Sequence, residues 1–226
     1  MKNLILLHGA LGNEVLFVPL VEALQSKYHC YRFNFSGHGG APFQAAFSIE
    51  QFAAELNTFM EQNDIADATV FGHSMGGYAA LYASAMGNTR INKIITLGTK
   101  FEWTPEIAAK ESSMFDVETL KIKLPSFVAQ LEQQHGMQWE QLVHEVKRLL
   151  ISLGDHPVLT DSLLQKITIP VIILRGENDK MVNQEESIKT QSQIPNAQFL
   201  SLPAQPHLLE RVNLEMLVKV IEECVG

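Results

Sequence analysis

The sequence predicts an α/β fold: a mostly parallel sheet of about six strands with helices on both faces and a helical cap. Short apolar runs alternate with helical patterns over most of the length, as parallel strands joined by crossover helices require. Several of those runs are continuously apolar and not alternating, which suits strands covered on both faces. Between about residues 101 and 166 the alternation stops and only helical periodicity remains, so this stretch reads as a cap inserted over the sheet's carboxyl edge.

The elements follow in order. Leu4–Leu7 is the first strand; its apolar run ends at His8-Gly9, short of the roughly 7–15 residues of a secretory h-region. Tyr31–Phe35 is the second. Ser48 and Gln51 have capping-box spacing for a helix whose Phe52, Leu56 and Phe59 share one stripe. Thr69–Phe71 is the third strand, and an Ala-rich helix runs from Met75 to Met86 with Gly87 as its stop. Ile94–Leu97 is the fourth strand. In the cap, Leu124, Phe127, Val128 and Leu131 recur at helical spacing, as do Trp139, Leu142, Val143, Val146, Leu149 and Leu150. Val171–Leu174 and Phe199–Leu202 complete the sheet, and Leu214, Leu217, Val218 and Ile221 mark the face of a last helix.

A chain of 226 residues with no Gly/Ser-rich linker is expected to form a single domain over 1–226. Hydrophobic residues at 46% against 19% charged exclude a disordered chain. The formal net charge of −8 argues against partners that need a basic face, so neither nucleic acid nor an anionic membrane is expected. Two cysteines, Cys30 and Cys224, make no disulfide framework, and a reduced cytoplasmic protein is the expectation. No stretch approaches the roughly 20 apolar residues of a membrane span.

Chemistry concentrates at Gly72-His73-Ser74-Met75-Gly76-Gly77, between a strand and a helix. A G-x-S-x-G in that context permits a strained turn that lifts the serine hydroxyl above the sheet, so Ser74 reads as a nucleophile. A phosphate loop would want a Lys or a G-x-G-x-x-G spacing, and neither is present. A neutral serine needs a base and a place for developing charge. At the first strand's end, Gly9 and Gly12 in Leu7-His8-Gly9-Ala10-Leu11-Gly12 allow a backbone turn toward the serine. The expected oxyanion donors are the N–H groups of Ala10 and of Met75, the latter at a helix start.

Eight histidines compete for the base. His8 reads as structural, His73 points away from its neighbour on a tight turn, and His38 sits in the turn Gly37-His38-Gly39. His29 precedes a strand, and His135, His144 and His156 fall in the cap as surface or lining residues. His207 follows the last strand in Pro203-Ala204-Gln205-Pro206-His207, where its ring can reach the carboxyl edge. Asp179 ends the loop Arg175-Gly176-Glu177-Asn178-Asp179 after a buried strand, at the edge where open α/β sheets build sites. Glu177 is two residues too early, and Glu102 is a minority alternative. The order Ser74, Asp179, His207 suits an acyl-transfer triad.

On His8-Gly9, Gly37-His38-Gly39, Gly72-His73-Ser74-Met75-Gly76-Gly77, Gly176-Glu177-Asn178-Asp179 and Pro206-His207, the chain resembles the α/β-hydrolase superfamily over essentially its whole length. The likeness is to its small esterases, lactonases and cofactor-free perhydrolases. The resemblance implies a triad of Ser74, Asp179 and His207, oxyanion amides at Ala10 and Met75, and no metal or organic cofactor. The family's opening hairpin has no room here, Asn34 replaces its usual Asp, and Pro206 precedes the base. The expected substrate is a small, uncharged or weakly polar ester, thioester or lactone. Leu11, Phe101, Trp103, Phe127 and Trp139 are candidate lining. The same triad could serve as the base of a lyase or C–C hydrolase, whose anionic substrate would want Lys100 or Arg148; a non-catalytic receptor is a third reading.

Overall fold

A computed structural model describes all 226 residues. Six strands, β1 (Lys2–Leu7), β2 (Tyr28–Arg32), β3 (Ala68–His73), β4 (Ile91–Leu97), β5 (Val171–Gly176) and β6 (Ala197–Leu202), form one sheet in the order β2-β1-β3-β4-β5-β6. Every pairing is parallel, where the sequence predicts a mostly parallel sheet. The helices are α1 (Val18–Leu24), α2 (Ile49–Gln62), α3 (Met75–Ala85), α4 (Pro105–Ser112), α5 (Val117–Lys123), α6 (Pro125–His135), α7 (Trp139–Asp155), α8 (Asp161–Leu164), α9 (Gln184–Gln193) and α10 (Leu214–Val225). No helix is long and apolar enough to cross a membrane.

The period-2 alternation of side chains splits the apolar strands between two cores. Leu4, Leu6, Phe71, Ile95 and Leu174 face α1 and α10, whereas Ile5, Leu7, Val70, Ile94 and Ile173 face α2 and α3. The larger core continues without a break into the segment between β4 and β5, through Leu120, Leu131, Leu142 and Val146. Burying such a side chain contributes about 1.5–3 kcal/mol, so the stripe on α7 fastens that segment to the sheet layer.

Local signals explain most boundaries. Ser48 accepts the Gln51 N–H at 3.1 Å and caps α2, but the Gln51 side chain turns to Glu55, so only half of the capping box forms. Gly87, at φ +95°, ends α3. The second strand is displaced from the predicted Tyr31–Phe35 to Tyr28–Arg32. Phe33 and Phe35 leave the ladder: the Phe35 N–H donates to His8 Nε2 at 3.2 Å, and Phe33 stacks on Phe59.

Candidate active site

The carboxyl ends of β1, β3, β5 and β6 bring Ala10, Ser74, Asp179 and His207 to one edge of the sheet. Ser74 joins β3 to α3 at φ 50° and ψ −115°, a region that side-chain-bearing residues rarely enter and that costs on the order of 1–3 kcal/mol. The surroundings hold it there. Its N–H donates to the Leu97 carbonyl at 2.8 Å, and its carbonyl accepts from Gly77, Tyr78 and the Thr99 hydroxyl. The turn also needs glycine at position 76, where a Cβ would stand 2.6 Å from the Leu7 carbonyl oxygen.

His207 Nδ1 lies 2.8 Å from Asp179 Oδ2. A carboxylate only accepts, so Nδ1 carries the proton and Nε2 is left bare. The other Asp179 oxygen accepts the N–H groups of Met181 and Val182 at 2.8 and 3.0 Å. Burial pushes the Asp179 carboxyl up, but His207 and those two amides outweigh it and hold the group below its ordinary value. Arg175 braces the loop by donating to the carbonyls of Asp179 and Val182.

Ala10 follows β1 and leads into Leu11, which takes φ 58°. The Ala10 N–H has no backbone acceptor, and Met75, as first residue of α3, has no carbonyl one turn back. Ser74, His207 and Ala10, together with Phe115 and Met181, line both of two adjoining cavities, a narrow one of about 70 Å³ and a wide one of about 490 Å³. Trp103, Leu149 and Leu153 wall the narrow cavity; Leu11 and Phe127 line the wide one.

Two expected lining residues are placed elsewhere. Phe101 lines a separate cavity, because its N–H is drawn to the buried Glu186 carboxylate at 2.9 Å. Trp139 is only 5% exposed and packs in the larger core, on the buried stripe of α7. Glu102 is exposed on that same separate cavity, and Glu177 caps the Ala204 N–H as an exposed side chain. Lys100 does line the narrow cavity, but Glu186 at 3.5 Å and the Met181 carbonyl hold its ammonium; Arg148 lies on the surface beside Glu145.

Three histidines do structural work at this edge. His8 accepts from Phe35 and donates to the Gly9 carbonyl, as its structural reading required, and burial brings its pKa down to about 4. His73 donates from Nε2 to the His207 backbone carbonyl at 2.9 Å, and burial first of all lowers it to about 3, so it stays neutral. His135 is neither a surface nor a lining residue. It is 2% exposed, donates to the Leu11 carbonyl at 3.0 Å and accepts the Gly39 N–H at 2.9 Å, tying α6 to the loops after β1 and β2. Its spacing from Val128 and Leu131 already placed it on the buried stripe of α6. The contact that His73 makes carries no comparable sequence signal.

The family described as the alpha/beta hydrolase fold matches residues 2–142. An esterase of Escherichia coli, YbfF, is 27% identical over 94 residues, spanning 42% of this chain and 37% of that protein. The 2-(acetamidomethylene)succinate hydrolase of Mesorhizobium japonicum is 20% identical over 241 residues, 95% of this chain and 84% of that one. The solved structure of a thermophilic esterase from Thermogutta terrifontis superposes with a TM-score of 0.80 at 20% identity, covering 100% of this chain and 89% of that one.

Proposed function

The chain belongs to the family of the alpha/beta hydrolase fold, and from that premise we propose that it is a serine hydrolase acting on a small carboxylic ester, thioester or lactone. The observation that carries the reading is the 2.8 Å Asp179–His207 pair on the same cavities as a backbone-strained Ser74. With Nδ1 tied to Asp179, His207 Nε2 takes the proton as Ser74 Oγ attacks the carbonyl carbon. The Ser74 hydroxyl closes on that nitrogen as substrate settles; such bonds often tighten only in the loaded enzyme. The N–H groups of Ala10 and Met75 receive the oxyanion, each typically contributing about 100- to 1,000-fold. Collapse expels the alcohol or thiol, protonated by His207, and water repeats the sequence to free the acid.

The segment 101–166 acts as a cap on a single domain spanning 1–226. The narrow cavity takes the acyl arm, and the wide one gives the leaving group its way out. Charge favours this over an elimination or C–C cleavage of an anionic substrate, because Glu186 already answers Lys100.

The test is turnover of p-nitrophenyl esters from acetate to octanoate by the native protein and by Ser74→Ala, with fluorophosphonate labelling of both. Native turnover and labelling that both vanish in the variant are expected. Equal turnover by the two proteins would overturn the assignment of Ser74.

A further inference from the structure

One side chain in the narrow cavity has no counterpart in the chemistry above. Glu111, in the last turn of α4, lines that cavity with Trp103, Leu149 and Leu153. It is 7% exposed, shares the buried stripe of α4 with Ala108 and Ser112, and packs where α4 meets α7. Its carboxylate accepts no hydrogen bond, and no Lys, Arg or His nitrogen lies within 4.0 Å of it. The lysine in the same cavity, Lys100, is committed to Glu186 and the Met181 carbonyl. Glu186 itself also receives the N–H groups of Phe101, Glu102 and Asn183, so that pair is closed. The cavity beside Ser74 therefore carries an unpaired carboxylate in a mostly apolar wall, beside the Trp103 indole N–H, which is sealed from solvent and has no acceptor. The Glu111 oxygens keep contact with solvent, and a ligand that displaces that solvent must supply donors or leave the carboxylate unmatched, which is costly.

We propose that Glu111 is a specificity-determining residue and that the acyl arm of the substrate is an apolar chain ending in a protonated amine, which pairs with it. An ammonium supplies the donors the carboxylate lacks and cancels its charge; a terminal hydroxyl supplies the donor alone. Leucine and tryptophan side chains take up the methylene stem. The inference rests on the serine-hydrolase reading for its orientation, acyl arm inward.

The test is a series of methyl esters, hydrolysed in a pH-stat near neutrality: ω-amino acids of four to eight carbons, their ω-hydroxy analogues, and alkanoates of matching length. The native protein is expected to prefer one amino ester over its alkyl match in kcat/KM by about 10- to 100-fold, the range of a charge-assisted bond, with the hydroxy ester between them. In Glu111→Gln that ratio is expected to collapse by at least about tenfold. In Glu111→Asp the preference is expected to survive and move to an acid one methylene longer, because the carboxylate has withdrawn by one. No preference in the native protein, or a preference untouched in both variants, overturns the proposal. If no ester is turned over and Ser74 takes no fluorophosphonate label, the serine-hydrolase reading fails by itself. Calorimetric binding of 6-aminohexanamide against heptanamide then decides Glu111 alone, equal affinities counting against it.

Discussion

At the scale of single residues, Asp179 has the most divided task, since it anchors its own loop and orients His207 with different oxygens. Asp179→Asn keeps an acceptor for the two amides but presents the ring with a group that can also donate, which allows the wrong tautomer. It is expected to lower kcat by about 10³- to 10⁴-fold with a near-native unfolding midpoint; a loss under about tenfold would argue against His207 as base. Ser74, Asp179 and His207 stand out as candidates in the sequence because each sits in a distinctive local setting: an elbow, the end of a buried strand, the loop before the last helix. Glu111 was not singled out, and His73 was weighed only as a base. A glutamate on a helix reads as solvated until its stripe is known to be buried, and the bond from His73 to residue 207 spans 134 residues.

At the scale of elements, legibility followed periodicity. The stripe on α7 predicted a buried helix and one formed, yet the same stripe took Trp139 into the core and away from the cavities. The second strand slipped because an aromatic run reads as strand whether it pairs with backbone or with other rings. The joint between α6 and the sheet is carried by His135. His135→Ala leaves the Leu11 carbonyl and the Gly39 N–H without partners, each costing about 1–3 kcal/mol. A fall of about 2–4 kcal/mol in unfolding free energy is expected by urea titration, and less than about 0.5 kcal/mol would mean that the loops do not depend on α6.

At the scale of the whole molecule, buried neutral histidines set the acid limit. His8 and His73 are held near 4 and 3, both chiefly by burial, and His38 and His135 are lowered for the same reason. In the unfolded chain each returns to about 6.5. Between about pH 6.5 and 4 the unfolded state therefore binds more protons, and stability falls with pH by about 1.4 kcal/mol per unit for each histidine still neutral in the fold. Above about pH 7 the contribution is fully present. The urea midpoint is expected to be level from pH 7 to 8 and to drop steeply from 6.5 toward 4; a level profile across that window would contradict these burials. The overall architecture was legible from the alternation of apolar runs alone, whereas the joining of the segment between β4 and β5 to the larger core depends on contacts that no local pattern records.

Both tryptophans of the chain, Trp103 and Trp139, lie in the segment between β4 and β5, one on the narrow cavity and the other sealed in the core. The protein's tryptophan fluorescence is thus emitted wholly from that segment. Trp103 is the dye that a bound ligand would touch, and Trp139 serves as an internal reference that should respond only to unfolding.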